Sequence, residues 1–149
     1  MTKAEMPPAE LLAYGRKVLA AQPFSVLLGT EMTALSPAMT ELRLALRPDL
    51  LQQHGFAHGG LVSYLADNAL TFAGGITLSG QIVTAEMKIN YVRPGVGDEL
   101  IARASVVAAG RTQAVVRCDV FAVANGAERL CAAAQGTIAA VPPRESGKE

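Results

Sequence analysis

Gln52-Gln53-His54-Gly55-Phe56-Ala57-His58-Gly59-Gly60-Leu61-Val62-Ser63-Tyr64-Leu65-Ala66-Asp67 is the stretch that decides how this chain reads. His58-Gly59-Gly60 opens a strongly apolar helical run whose one acid is Asp67. A helix start exposes backbone N–H groups that lack intrahelical partners, at the positive end of the macrodipole. Two glycines there let a substrate approach the backbone, because no Cβ blocks it. Such a place suits a carbonyl oxygen that becomes negative during reaction. An acid inside an apolar helix is costly unless it is paired or used. Together these features point to acyl transfer.

Spacing adds a constraint. Gly59 and Asp67 are eight residues apart, which on one α-helix is about 12 Å of rise. Reacting groups must come within about 3–3.5 Å of one centre. One copy of the helix therefore cannot bring both to the same carbonyl. Two copies related by a twofold axis can, so a catalytic pair of this kind requires at least a dimer.

Outward from this stretch, residues 8–21 carry Leu11, Leu12, Tyr14, Val18 and Leu19 at helical spacing, and Pro23 ends that helix. Residues 26–35 and 39–47 read as two strands joined by Ser36-Pro37, and 48–57 as a loop. The long helix is predicted over 59–74, apolar on nearly every side and hence buried, with Gly74-Gly75 ending it. Four strands follow, at about 82–92, 98–109, 112–124 and 127–140. In the first, Val83, Ala85, Met87, Ile89 and Tyr91 alternate with Thr84, Glu86, Lys88 and Asn90. Pro94-Gly95, Gly110 and Asn125-Gly126 are turns, the last a strong hairpin signal. Residues 1–7 and 142–149 read as frayed. The pattern is α+β: an antiparallel sheet of five to six strands wrapped around one central helix, in a single domain of 149 residues.

Composition narrows the function classes. Thirteen basic and thirteen acidic residues cancel, with no basic stripe, which argues against nucleic acid as the main partner. The charged fraction of 17% is low, consistent with surface buried in an oligomer. No apolar run is long enough for a membrane span, and the N-terminus lacks a secretory pattern, so the cytoplasm is the expected compartment. Cys118 and Cys131 lie in alternating strand segments and read as buried small hydrophobes. Two scattered Cys and two His do not make a zinc site, so neither metal nor cofactor is expected.

The arrangement resembles the hotdog fold, and the residues resemble the acyl-CoA thioesterases of the phenylacetate-degradation protein I (PaaI-like) group over roughly residues 25–140. The matching elements are Gln52-x-x-Gly55-x-x-His58-Gly59-Gly60, then Leu65-Ala66-Asp67, then Thr84-Ala85-Glu86-Met87-Lys88-Ile89-Asn90-Tyr91-Val92-Arg93-Pro94. The resemblance implies hydrolysis of a thioester to coenzyme A and a carboxylic acid. It implies that Gly59 supplies the N–H that polarises the carbonyl, with His58 shaping the loop. Asp67 of the facing subunit is then nucleophile or general base, and Gln52 orients the carbonyl or the attacking water. It also implies a homo-oligomer, a dimer at minimum and a tetramer as a dimer of dimers. One position departs from the group: members with Asp usually carry Asn at the loop position, and Gln is more typical of relatives whose acid is Glu.

Further candidates are Gly60, for backbone access, and Ser63, one turn before Asp67. For the coenzyme A phosphates they are Arg93, Lys88 and the Gly110-Arg111-Thr112 turn, since Arg and Lys supply charge-assisted bonds. A hotdog hydratase or dehydratase is a competing reading. Yet no His follows Asp67, and no Pro lies between 49 and 93 to make the Pro-rich loop of such enzymes. A non-catalytic acyl-CoA binder is the other, since fold alone never establishes activity. The acyl group is not legible at this level.

Overall fold

The computed structural model describes residues 3–142. Its elements are α1 (Pro8–Ala20), α2 (Pro23–Leu28), β1 (Glu31–Leu35), β2 (Thr40–Ala45), α3 (Gly59–Thr77), β3 (Gln81–Tyr91), β4 (Glu99–Ala109), β5 (Gln113–Ala124) and β6 (Ala127–Val141). The strands form one antiparallel six-stranded sheet in the order β1-β2-β4-β5-β6-β3. This is the hotdog arrangement expected from the sequence, with α3 against one face of the sheet.

Helix α3 is apolar on most sides because most of it is enclosed. Leu61, Val62, Leu65, Ala66, Ala69, Leu70, Ala73 and Ile76 are buried, and the sheet answers with Leu42, Leu44, Leu100, Val116, Val120 and Ile138. Each Leu, Val or Ile among these contributes about 1.5–3 kcal/mol on burial. Gly74-Gly75 does not end the helix. A Cβ on Gly74 would stand 2.8 Å from Ile138 Cγ1, so glycine here lets the last turns lie close on β6, and the helix continues to Thr77.

Two other expectations are corrected. Residues 26–28 are helical: Pro23 both follows α1 and starts α2, a position that suits its fixed φ, and Gly29 at φ +75 ends it before β1 begins at Glu31. Residues 3–7 are not frayed, since Lys3–Glu5 form a 3₁₀ turn and Lys3 Nζ donates to Gly75 O at 3.1 Å. The tail expectation for 143–149 lies outside the described residues.

Strand β3 breaks the simple alternation. Its pairing with β6 shifts between Thr84 and Glu86, leaving Ala85 as a β-bulge. Ile82 and Thr84 therefore share the helix side with Met87, Ile89 and Tyr91, while Glu86, Lys88 and Asn90 face outward. Asn125 and Gly126 both adopt positive φ, as a tight hairpin turn needs. Cys118 and Cys131 are free and buried; burial pushes the Cys118 thiol up to about 12. Among the described residues no helix is long and apolar enough to cross a membrane, and no three His, Cys, Asp or Glu side chains form a metal-binding group.

The outer face carries a charge cluster. Glu41 accepts from Thr33 Oγ1 at 2.7 Å, Arg43 Nε at 3.0 Å and Arg103 Nε at 2.7 Å, and Arg103 also grips Glu128 with both terminal nitrogens. Burial alone would raise the Glu41 pKa, but the hydrogen bonds from Thr33, Arg103 and Arg43 outweigh it and hold the carboxyl down at about 2. A folded pKa below the unfolded one stabilises the fold above the unfolded value and loses that contribution as pH falls. Glu41 thus contributes fully above about 4.5 and progressively less down to about 2. Glu41→Gln is expected to cost about 1–3 kcal/mol at neutral pH and to flatten the acid limb of stability against pH. Urea melts of both proteins from pH 7 to pH 2 check this; parallel curves would contradict it.

Candidate active site

The loop before α3 is tied down by its own backbone. Gln52 N–H donates to Phe56 O at 2.8 Å, His58 N–H to Leu50 O at 3.1 Å, and Ala57 N–H to Gly95 O at 2.8 Å. This fixes His58 as the N-cap of α3, where its Nδ1 accepts from the Gly60 N–H at 2.9 Å. With Nδ1 so engaged, the neutral ring carries its proton on Nε2. His58 is therefore a shaping residue for the helix start, and its Nδ1 is not free to act as a base. A Cβ on Gly60 would stand 3.0 Å from that nitrogen, so glycine keeps the cap open. The Gly59 N–H has no acceptor among the described residues. On its other side Gly59 is flanked by Tyr91, whose hydroxyl donates to Gly59 O at 3.3 Å.

Two turns along, Asp67 is half-buried on the open stripe of α3, beside β3. Thr84 Oγ1 donates to Asp67 Oδ1 at 2.6 Å. Thr71 Oγ1 donates to the Asp67 carbonyl at 2.8 Å and lies 3.0 Å from Thr84 Oγ1. A carboxylate held by a hydroxyl on the neighbouring strand keeps one oxygen for chemistry. The adjacent Asn68 belongs to a separate polar group, donating to Gln22, Ser25 and Tyr64 at 3.1–3.2 Å, which docks α2 on α3.

The other candidates fall into different places. Gln52 turns its side chain back on its own loop, with Oε1 accepting from the His54 N–H. Ser63 lies on the same open stripe of α3 as Asp67, but the side-chain hydroxyl that reaches the carboxylate comes from Thr84. Arg93 Nη1 donates to Leu130 O at 2.9 Å, and Arg93 and Arg129 border a cavity of about 550 Å³ shared with Phe56 and Asn125. Gly110, Arg111 and Thr112 are at the far end of the sheet, where the Ala140 N–H donates to Thr112 O and β6 pairs with Gln81. Gly59, beside Tyr91, is ten residues of β3 away, about 33 Å. One chain therefore does not gather Gly59, Asp67 and the Gly110–Thr112 turn at one point. Lys88 faces outward with Arg117 and Asp119.

Thr84 and Thr71 are the functional candidates that sequence reasoning passed over. Thr71 follows Asp67 at helical i, i+4 spacing, a readable signal. Thr84 was hidden by the bulge at Ala85, because unbroken alternation puts it on the outer face. Thr84→Val keeps the shape and removes the hydrogen bond to the carboxylate. It should lower kcat about tenfold or more, with Thr84→Ser close to wild type. Equal kcat in the Val and Ser variants would remove Thr84 from the site.

This fold, one antiparallel six-stranded sheet with a long helix against it, is that of the hotdog thioesterases. The chain belongs to the thioesterase superfamily, whose family model matches residues 54–127. A Deinococcus radiodurans protein whose name assigns it provisionally to the esterases is 37% identical over 101 residues, 67% of this chain and 68% of that one. Among solved structures, a thioesterase family protein from Silicibacter pomeroyi is 34% identical, with a TM-score of 0.79 over 84% of this chain and 93% of that one. An asparagine-to-aspartate variant of the phenylacetic acid degradation protein PaaI from Thermus thermophilus is 34% identical, with a TM-score of 0.70 over 80% of this chain and 100% of that one.

Proposed function

We propose that the protein hydrolyses an acyl-CoA thioester in a site shared by two copies of the chain. Gly59 of one copy polarises the carbonyl, and Asp67 of the other attacks it or activates water. The observation that carries this reading is one helix bearing both a Gly59 N–H without an acceptor among the described residues and a carboxylate gripped by Thr84. They are separated by about 12 Å along the axis. As general base, Asp67 takes the water proton while the hydroxyl adds to the carbonyl carbon. The C–S bond then breaks, and the proton passes to the departing coenzyme A thiolate. As nucleophile, Asp67 forms an anhydride that water opens to the same products. In both cases the developing oxyanion faces the Gly59 N–H.

Strand β3 supports the shared site. It is a long edge strand with one side unpaired among the described residues, and apolar residues are exposed on it, Val83 and Tyr91, and just past its end, Val92. Such an edge invites pairing with another strand. An antiparallel pairing of two copies about Met87 sets Glu86 opposite Lys88 twice, whereas an axis at either charged residue sets like charges opposite. The same apposition brings Gln81 of one copy, with the Gly110–Thr112 turn beside it, toward Arg93 of the other. Arg111, Arg93 and Arg129 then face the coenzyme A phosphates from two chains. Two such dimers forming a tetramer leave this site intact, and the cytoplasm supplies acyl-CoA.

The test is release of free thiol from acetyl-, octanoyl-, phenylacetyl- and palmitoyl-CoA, read with a thiol reagent, without added metal. Turnover of at least one substrate is expected. Binding of all four without hydrolysis would make the protein a binder instead.

A further inference from the structure

We propose that the cavity between α1, α3 and the start of β3 holds the acyl group, and that α1 sets its length. The proposal rests on the thioesterase reading above. The cavity is about 510 Å³, within the size range of small-molecule sites. Its walls are Tyr14 and Val18 from α1, Thr71, Phe72 and Ile76 from α3, and Ile82 from β3.

Thr71 connects this space to the chemistry. It lines the cavity, and its hydroxyl touches both the Asp67 carbonyl and Thr84, which in turn holds the Asp67 carboxylate. A carbonyl at Asp67 therefore has its acyl substituent pointed along α3 toward Ile76. Those nine residues span about 13 Å of helix rise, enough for a medium-length chain and far more than acetyl requires. At the far end of the cavity Lys3 Nζ donates to Gly75 O at 3.1 Å. That ammonium meets a carbonyl of the last helical turns, the end that favours a cation. Among the described residues Lys3 is the one charged side chain of the lining, and one of its N–H groups is held by Gly75 O. The walls of Val18, Phe72, Ile76 and Ile82 favour an apolar acyl group that reaches toward Ile76.

The experiment measures kcat/KM for acetyl-, octanoyl-, dodecanoyl- and succinyl-CoA, with melting curves for every variant. Wild type should prefer octanoyl-CoA to acetyl- and succinyl-CoA. Val18→Phe, which fills the middle of the cavity from α1, should lower the octanoyl-to-acetyl ratio at least about tenfold. Phe72→Leu opens the other wall and should raise the dodecanoyl-to-octanoyl ratio several-fold; it carries the test if Val18→Phe does not fold. A preference for acetyl or succinyl groups, or ratios that neither variant moves, would overturn the acyl pocket and leave the thioesterase reading standing. If wild type hydrolyses none of the thioesters, the thioesterase reading fails, and the pocket assignment falls with it.

Discussion

Asp67→Ala should lower thioester turnover at least about 100-fold, because it removes the one carboxylate of α3, the proposed base or nucleophile. Stability should change little. Asp67 is half-buried, its carboxylate is held by the hydrogen bond from Thr84, and the helix core behind it is Leu65, Ala66, Ala69 and Leu70. Circular dichroism and a thermal melt establish that the variant is folded, and a thiol-release assay reads the activity. Turnover within a factor of a few of wild type, on a folded protein, would remove Asp67 from the mechanism. Gln52→Ala should cost less, since that side chain bonds its own loop.

Gly59→Pro should be the second large effect. Proline has no N–H, so it deletes the proposed carbonyl donor and nothing else of the helix start. The position tolerates it: Gly59 is the first residue of α3, His58 before it has φ −60 and ψ 136, and the nearest neighbour on the Cβ side is Tyr91 at 3.8 Å. Loss of one such donor lowers kcat by about 10²–10³. The variant also tests the shared site. When Gly59→Pro and Asp67→Ala proteins are mixed, unfolded and reassociated, about half of the dimers are mixed, and one of the two sites in each draws both groups from intact positions. About a quarter of all sites should regain wild-type chemistry. Sites built within single chains would keep one defect each, and a mixture with proven mixed dimers would stay as inactive as its parents.

How much of this was legible beforehand follows from range. Local patterns transferred well: the apolar run of α3, the Asn125-Gly126 hairpin and the Gly110 turn are each decided by neighbours in sequence. Gly74-Gly75 misled because a glycine pair reads as a helix stop. Here its use is tertiary, to admit Ile138. Val26-Leu27-Leu28 reads as a strand because its apolar residues are contiguous, and Pro23 suits a helix start as well as a helix end. In the candidate site, the grouping of Asp67, Gly59 and His58 was readable since all three lie on or next to one helix. Thr84 was not, because its facing depends on a pairing irregularity with β6 that no window of sequence contains. The separation of Gly110–Thr112 from Gly59 came from strand length and order in the sheet, which spacing along the chain does not encode.

The extra residue at Ala85 has a bearing on how this chain can change length. On either side of it the strand is regular, so parity alone decides which side chains meet the helix. Deleting Ala85 would straighten the ladder and leave every facing unchanged, because Glu86 would take the outward place and Met87, Ile89 and Tyr91 would fall into step with Ile82 and Thr84. Losing one residue from either regular segment while the bulge stays would turn the side chains beyond the gap to the wrong side. The strand can therefore shorten by one only at the bulge, which is the one place where length and the aim of the Thr84 hydroxyl are uncoupled.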